Sequence, residues 1–132
     1  MKKQGILNAH LSYLIARMGH TDRLVICDCG LPLPKETEIV DLALTKNIPT
    51  FMDTLTVVLE ELHIEGAIVA EEMEQISTPL YRQMLKVLPD VPLRKVTHAE
   101  FKAMCTDEGI LFVRTGEATS YANIILISGV NF

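Results

Sequence analysis

Four short aliphatic runs, LVIC at 24–27, GAIVA at 66–70, ILFV at 110–113 and IILI at 124–127, constrain the fold of this chain most. A run that is apolar without alternation reads as a strand covered on both faces, and helices are the usual cover. The segments between the runs supply them. Leu11, Leu14, Ile15 and Met18 fall at i, i+3, i+4 and i+7, between Asn8 as N-cap and Gly19 as the C-terminal stop. A second helix carries Leu55, Val58, Leu59 and Leu62 behind Asp53 as its cap. A third carries Leu80, Met84, Leu85 and Leu88 behind Ser77.

TEIVDLAL at 37–44 reads as a further strand or a half-buried extended segment, after the rigid loop GLPLPKE, and EGAIVAEEM at 65–73, with its apolar run and small residues, reads as a buried strand. Val91 to Val96 is short and extended. THAE at 97–100 is a capping box opening a helix with Phe101 and Met104. The tail reads as two β-rich runs joined around Gly116. Strands separated by helices predict an α/β fold: a single three-layer α/β/α domain over residues 1–132, its central mixed sheet flanked by helices. Strand order is not readable from one sequence.

The chain is 48% hydrophobic and 5% aromatic, with no Trp, so stacking platforms for bases are scarce. Its net charge of -5, with no basic cluster beyond Lys2-Lys3, offers no footprint for a phosphate backbone, and nucleic acid is excluded as a partner. No apolar run approaches the roughly 20 residues of a membrane helix. The N-terminal segment resembles a signal peptide only superficially: its apolar residues are helix-periodic and broken by His10 and Arg17, which makes it part of the fold. Three cysteines, at 27, 29 and 105, form no disulfide framework, and a reducing cytoplasm is expected.

Cys27-Asp28-Cys29 lacks the spacing and the fourth ligand of a structural zinc site, so no metal is expected; both cysteines read as packing on one strand face. His20 follows the first helix, where the C-terminal dipole favours a charged imidazole. It is placed for acid–base work, or it simply caps the helix. His10 and His63 read as helix-surface residues. Asp28 stands near the carboxyl end of an apolar strand, where open α/β sheets bind ligands; the plain alternative is a loop-ordering aspartate. RTGEATSYANIIL places Arg114, Glu117, Tyr121 and Asn123 between two apolar strands, more polar residues than a plain hairpin needs. Phosphate loops, GxSxG and HExxH are all absent.

The N-terminal KKQGILNAHLSYLIARMGHTDRLVICDCGLPLP and the C-terminal RTGEATSYANIILISGVNF together resemble the D-ribose pyranase family, whose relatives include L-fucose mutarotases. The Gly-His-Thr-Asp turn, the Asp-x-Gly-Leu-Pro loop and the Tyr-Ala-Asn segment carry the likeness, which runs the length of the chain. The resemblance implies a cofactor-free cytoplasmic isomerase that interconverts the pyranose and furanose forms of D-ribose. It also implies a ring-shaped homo-oligomer, a decamer of two stacked pentamers, with sites between neighbouring subunits. His20 would be the acid–base residue. Asp28, His98 and the Tyr121-Ala122-Asn123 segment would contact the sugar. Alanine is the family expectation at Cys29 and proline at Ser120; the latter change removes a φ restraint beside Tyr121. An L-fucose mutarotase, or a pentose-binding accessory without catalysis, would use the same polar groups.

Overall fold

In the computed structural model, which describes residues 1 to 132, the aliphatic runs become strands of one sheet. In chain order the elements are α1 (Ala9–Arg17), β1 (Arg23–Cys27), β2 (Ile39–Asp41), α2 (Phe51–Glu61), β3 (Ile64–Ala70), α3 (Glu71–Ile76), α4 (Thr78–Val87), β4 (Leu93–Val96), α5 (His98–Met104), β5 (Leu111–Arg114) and β6 (Ile124–Ser128). The strands are ordered β2-β5-β1-β6-β3-β4. β6 is antiparallel to both of its neighbours, β1 and β3, while the other pairings are parallel. The carboxyl ends of β1 to β5 and the start of β6 therefore lie along one sheet edge. The starts of β1 to β5 and the end of β6 lie along the other.

Side-chain alternation divides the core in two. Leu24 and Ile26 of β1 join α1, α2, α3 and α4 in one apolar cluster, while Val25 and Cys27 join Phe101 of α5 and Cys105, which caps that helix, in a second on the opposite face. The expected three layers are present, with one helix covering the second face. Fully buried Leu14, Leu55, Phe101 and Phe112 each contribute about 1.5–3 kcal/mol relative to solvent exposure.

The helix ends follow local chemistry. The Asn8 side chain accepts from the Leu11 N–H at 2.9 Å, and Thr97 with Glu100 forms the expected capping box. In α2 the cap is Thr50, not Asp53: Asp53 is the third helical residue and closes a capping box with Thr50. GAIVAEEM is not a single strand, because β3 stops at Ala70 and α3 begins, with Glu71, Glu72 and Glu74 at its positive end. Ser77 starts α4 without a side-chain cap bond, and α4 buries Tyr81 and Met84 while Leu85 is exposed. The phase of that helix is set by the aromatic residue, whose larger apolar surface wins the core position. His63 sits between α2 and β3, outside any helix.

β5 and β6 do not form a hairpin. β1 lies between them, paired with both, so the connection at 115–123 must cross the end of β1. This crossing explains the surplus of polar residues there. Gly116 makes it possible: a Cβ at that position would meet the backbone of Thr45 and Ile48, the Ile48 nitrogen at 2.7 Å.

Candidate active site

The crossing connection brings the second polar segment onto Asp28. β1 ends at Cys27, and the Asp28 Oδ1 accepts the Gly30 N–H at 2.9 Å, turning the chain out of the sheet. Cys29 is therefore exposed and not on the strand face with Cys27, contrary to the packing expectation. Asn123 is fully buried and locked to Asp28 twice: its Oδ1 accepts the Asp28 N–H at 3.0 Å, and its Nδ2 donates to Asp28 Oδ2 at 2.9 Å. Arg114 donates from Nη2 to the Cys29 carbonyl at 3.2 Å and from Nη1 to Asp41. Asp28 is held from several sides, which limits its rotamer freedom.

Tyr121 adopts a left-handed backbone with φ of 60°, a conformation that costs a non-glycine residue energy and needs support from its surroundings. The Ser77 hydroxyl donates to the Ser120 carbonyl at 2.6 Å, fastening this turn to the start of α4. A tether is thus present where the expected proline is missing. The His98 ring meets the Tyr121 ring edge to face, with centroids 5.0 Å apart. His98 opens α5, where its N–H donates to Glu72 Oε2 at 2.8 Å. Its Nδ1 is buried without a hydrogen-bond partner in the chain. Such an atom costs about 1–3 kcal/mol unless a partner is supplied, so it is a natural receptor for a hydroxyl.

These residues enclose a cavity of about 480 Å³ at the carboxyl edge of the sheet, within the range of small-molecule sites. Asp28, Leu31, His98, Lys102, Glu117 and Tyr121 line it. Acceptors, donors and an aromatic face suit a neutral polyhydroxylated ligand. Of the Tyr121-Ala122-Asn123 segment only Tyr121 reaches this wall. Ala122 and Asn123 are fully buried beneath it, and Asn123 acts on the cavity through Asp28.

His20 is elsewhere. Its turn is fastened to the far end of β6 by the Thr21 N–H to Ser128 carbonyl bond at 2.9 Å. β1 separates it from Asp28, about 16 Å at roughly 3.3 Å per residue. The imidazole is about half exposed, and its Nε2 lies 2.8 Å from Glu65 Oε2. It borders a depression of about 340 Å³ shared with His63 and residues 128–132. Within one chain, His20 and Asp28 do not form two walls of one site.

Sequence reading left Lys102 and Glu65 unnamed. Lys102 lies one helical turn after His98, so i, i+4 spacing could have found it. Glu65 meets His20 across 45 positions of chain, with no local signal. The cysteines are silent by contrast: burial first, then the nearby Asp28 charge, pushes the Cys27 thiol well up, and burial pushes Cys105 up to about 11. Both stay protonated and unreactive at neutral pH.

The family model described as "RbsD / FucU transport protein family" matches residues 1–131. A D-ribose pyranase of Coprothermobacter proteolyticus is 53% identical over 132 residues, covering all of both chains. One from Geobacillus thermodenitrificans is 50% identical, covering all of this chain and 99% of its own. Among solved structures, Bacillus subtilis RbsD complexed with D-ribose superposes with a TM-score of 0.93 at 40% identity, covering 100% of both chains. The fucose mutarotase of Streptococcus pneumoniae, in complex with L-fucose, shares the fold with a TM-score of 0.74 at 21% identity, over 96% of this chain and 95% of its own. Matched from end to end in sequence and in backbone, the chain belongs to the RbsD / FucU transport protein family.

Proposed function

We propose that this chain is a D-ribose pyranase, an isomerase that interconverts the pyranose and furanose forms of D-ribose. The carrying observation is the hydroxyl-suited cavity of Asp28, His98 and Tyr121, in a chain about half identical to relatives bearing that name. Opening the six-membered hemiacetal breaks the C1–O5 bond, removes the proton of the anomeric hydroxyl and delivers one to O5. The aldehyde then closes again when the C4 hydroxyl attacks C1, loses its proton and leaves a protonated anomeric oxygen. Only protons move. An imidazole can give and take them near neutral pH, and no cofactor is required by the chemistry.

In this reading His20 of one subunit is the proton donor to the ring oxygen in the cavity of a neighbour. Glu65 orients its imidazole, Asp28 and His98 hold sugar hydroxyls, and Tyr121 provides the wall. The assembly is a decamer of two pentameric rings working in the cytoplasm; no helix of the chain is long and apolar enough to cross a membrane.

The test is NMR saturation transfer between the ring forms of D-ribose, with L-fucose run in parallel. Accelerated exchange of ribose is expected. Broadening without acceleration would identify a binding accessory, and acceleration for fucose alone would move the chain to the mutarotase branch.

A second measurement places the sugar. Native protein is expected to react with one equivalent of an aromatic disulfide reagent, at Cys29, with Cys27 and Cys105 reacting only after denaturation. Saturating D-ribose should slow the fast equivalent several-fold. Equal rates with and without sugar would put the ligand outside the Asp28 cavity.

A further inference from the structure

Of the 17 acidic and 12 basic residues of the chain, Glu117 alone is buried, with 6% of its surface exposed. Its carboxylate has no cation partner among the ion pairs. Burying such a charge is costly unless hydrogen bonds replace its hydration. Here they do. Oε2 accepts the Phe51 N–H at 2.9 Å, at the positive end of α2, and Oε1 accepts the Thr119 hydroxyl at 2.7 Å and the Thr119 N–H at 3.3 Å. The Glu117 carbonyl accepts the Cys29 N–H at 2.9 Å.

Glu117 thus joins three segments: the turn that carries Asp28, the start of α2, and the turn that carries Tyr121. Two of these hold side chains of the cavity, and the Glu117 side chain itself stands on the cavity wall. We propose that Glu117 is a positioning residue for the isomerisation, setting the distance between Asp28 and the Tyr121 turn; this rests on the pyranase reading of the cavity. The charge is what the task requires. Both oxygens must accept, since every group facing them is a donor.

Glu117→Gln keeps the volume but turns one acceptor into an amide that faces a donor. It should raise KM for D-ribose at least fivefold and lower exchange at saturation by a similar factor. Thr119→Val, at an exposed position, removes one bond to the carboxylate and should raise KM two- to threefold, which decides the matter if the glutamine variant fails to fold. Val58→Ala, a core change in α2 remote from the cavity, serves as a control that lowers thermal stability and leaves KM unchanged. If Glu117→Gln or Thr119→Val lowers thermal stability yet keeps wild-type KM and turnover, Glu117 is a structural tie only and the proposal is overturned. Wild-type protein is assayed first: no acceleration of ribose exchange would overturn the pyranase reading, whereas normal wild-type activity with unchanged KM and turnover in either variant would overturn the role of Glu117 alone.

Discussion

Replacing His20 with alanine is expected to reduce catalysed exchange between the ring forms of D-ribose by about 10²–10⁴, the range for loss of a general acid–base group. KM should change little, because Asp28, His98 and Tyr121, the groups proposed to hold the sugar, lie at the other edge of their own sheet and keep their contacts when His20 is shortened. The fold should survive as well. His20 is about half exposed, contributes to neither apolar cluster, and makes its hydrogen bond to Glu65, itself well exposed. Saturation transfer measures turnover and thermal unfolding measures stability on the same sample. Unchanged exchange would remove His20 from the mechanism.

Two inactive variants should restore each other. A His20→Ala chain retains an intact cavity, and an Asp28→Asn chain retains an intact imidazole. If one subunit's His20 serves its neighbour's cavity, random co-assembly at equal amounts rebuilds about one quarter of the sites in a symmetric oligomer. Activity should therefore rise from near zero for either variant alone to about a quarter of wild type. The expectation follows from the length of β1, which no side-chain rotation can span. A mixed assembly that stays inactive, with co-assembly shown by differently tagged chains, would eliminate the shared site.

The structure also explains which expectations could be drawn from residues and which could not. Asn8, Thr97 and Glu100 were legible as caps because a cap bonds within three or four positions of itself. Asp53 is legible as a helix-start residue, but a cap there puts the start of α2 three positions late, since Thr50 and Asp53 are both competent caps and only the burial of Phe51 selects between them. On α4 the predicted Leu80, Met84 and Leu88 pack on the core, and only Leu85 yields its place to Tyr81, whose larger apolar surface a leucine pattern undervalues. α3 was hidden by Ala70, at which a buried strand becomes a helix without a glycine or proline between them.

The site shows the same division. Tyr121 and Asp28 stood out as polar residues beside apolar strands. That Asn123 would face Asp28 and not the ligand depends on a contact across 95 positions of chain. The buried state of Glu117 depends on α2 starting 66 positions away.

Local chemistry accounts for the strands, most helices, the two-faced burial of the sheet, and the residue types needed for proton transfer to a sugar. Those properties rest on interactions within a few positions, so they are written into the order of residues. The place of β6 between β1 and β3 is a different matter: strand pairing is set by packing among distant segments, and many orders satisfy the same pattern of apolar runs. That single antiparallel insertion carries the Tyr121 turn over the end of β1 onto Asp28 and fastens His20 to the opposite edge. Residue order names the groups, and the folded sheet assigns them to two ends of the molecule, which is why the reading proposed above draws the imidazole from a second copy of the chain.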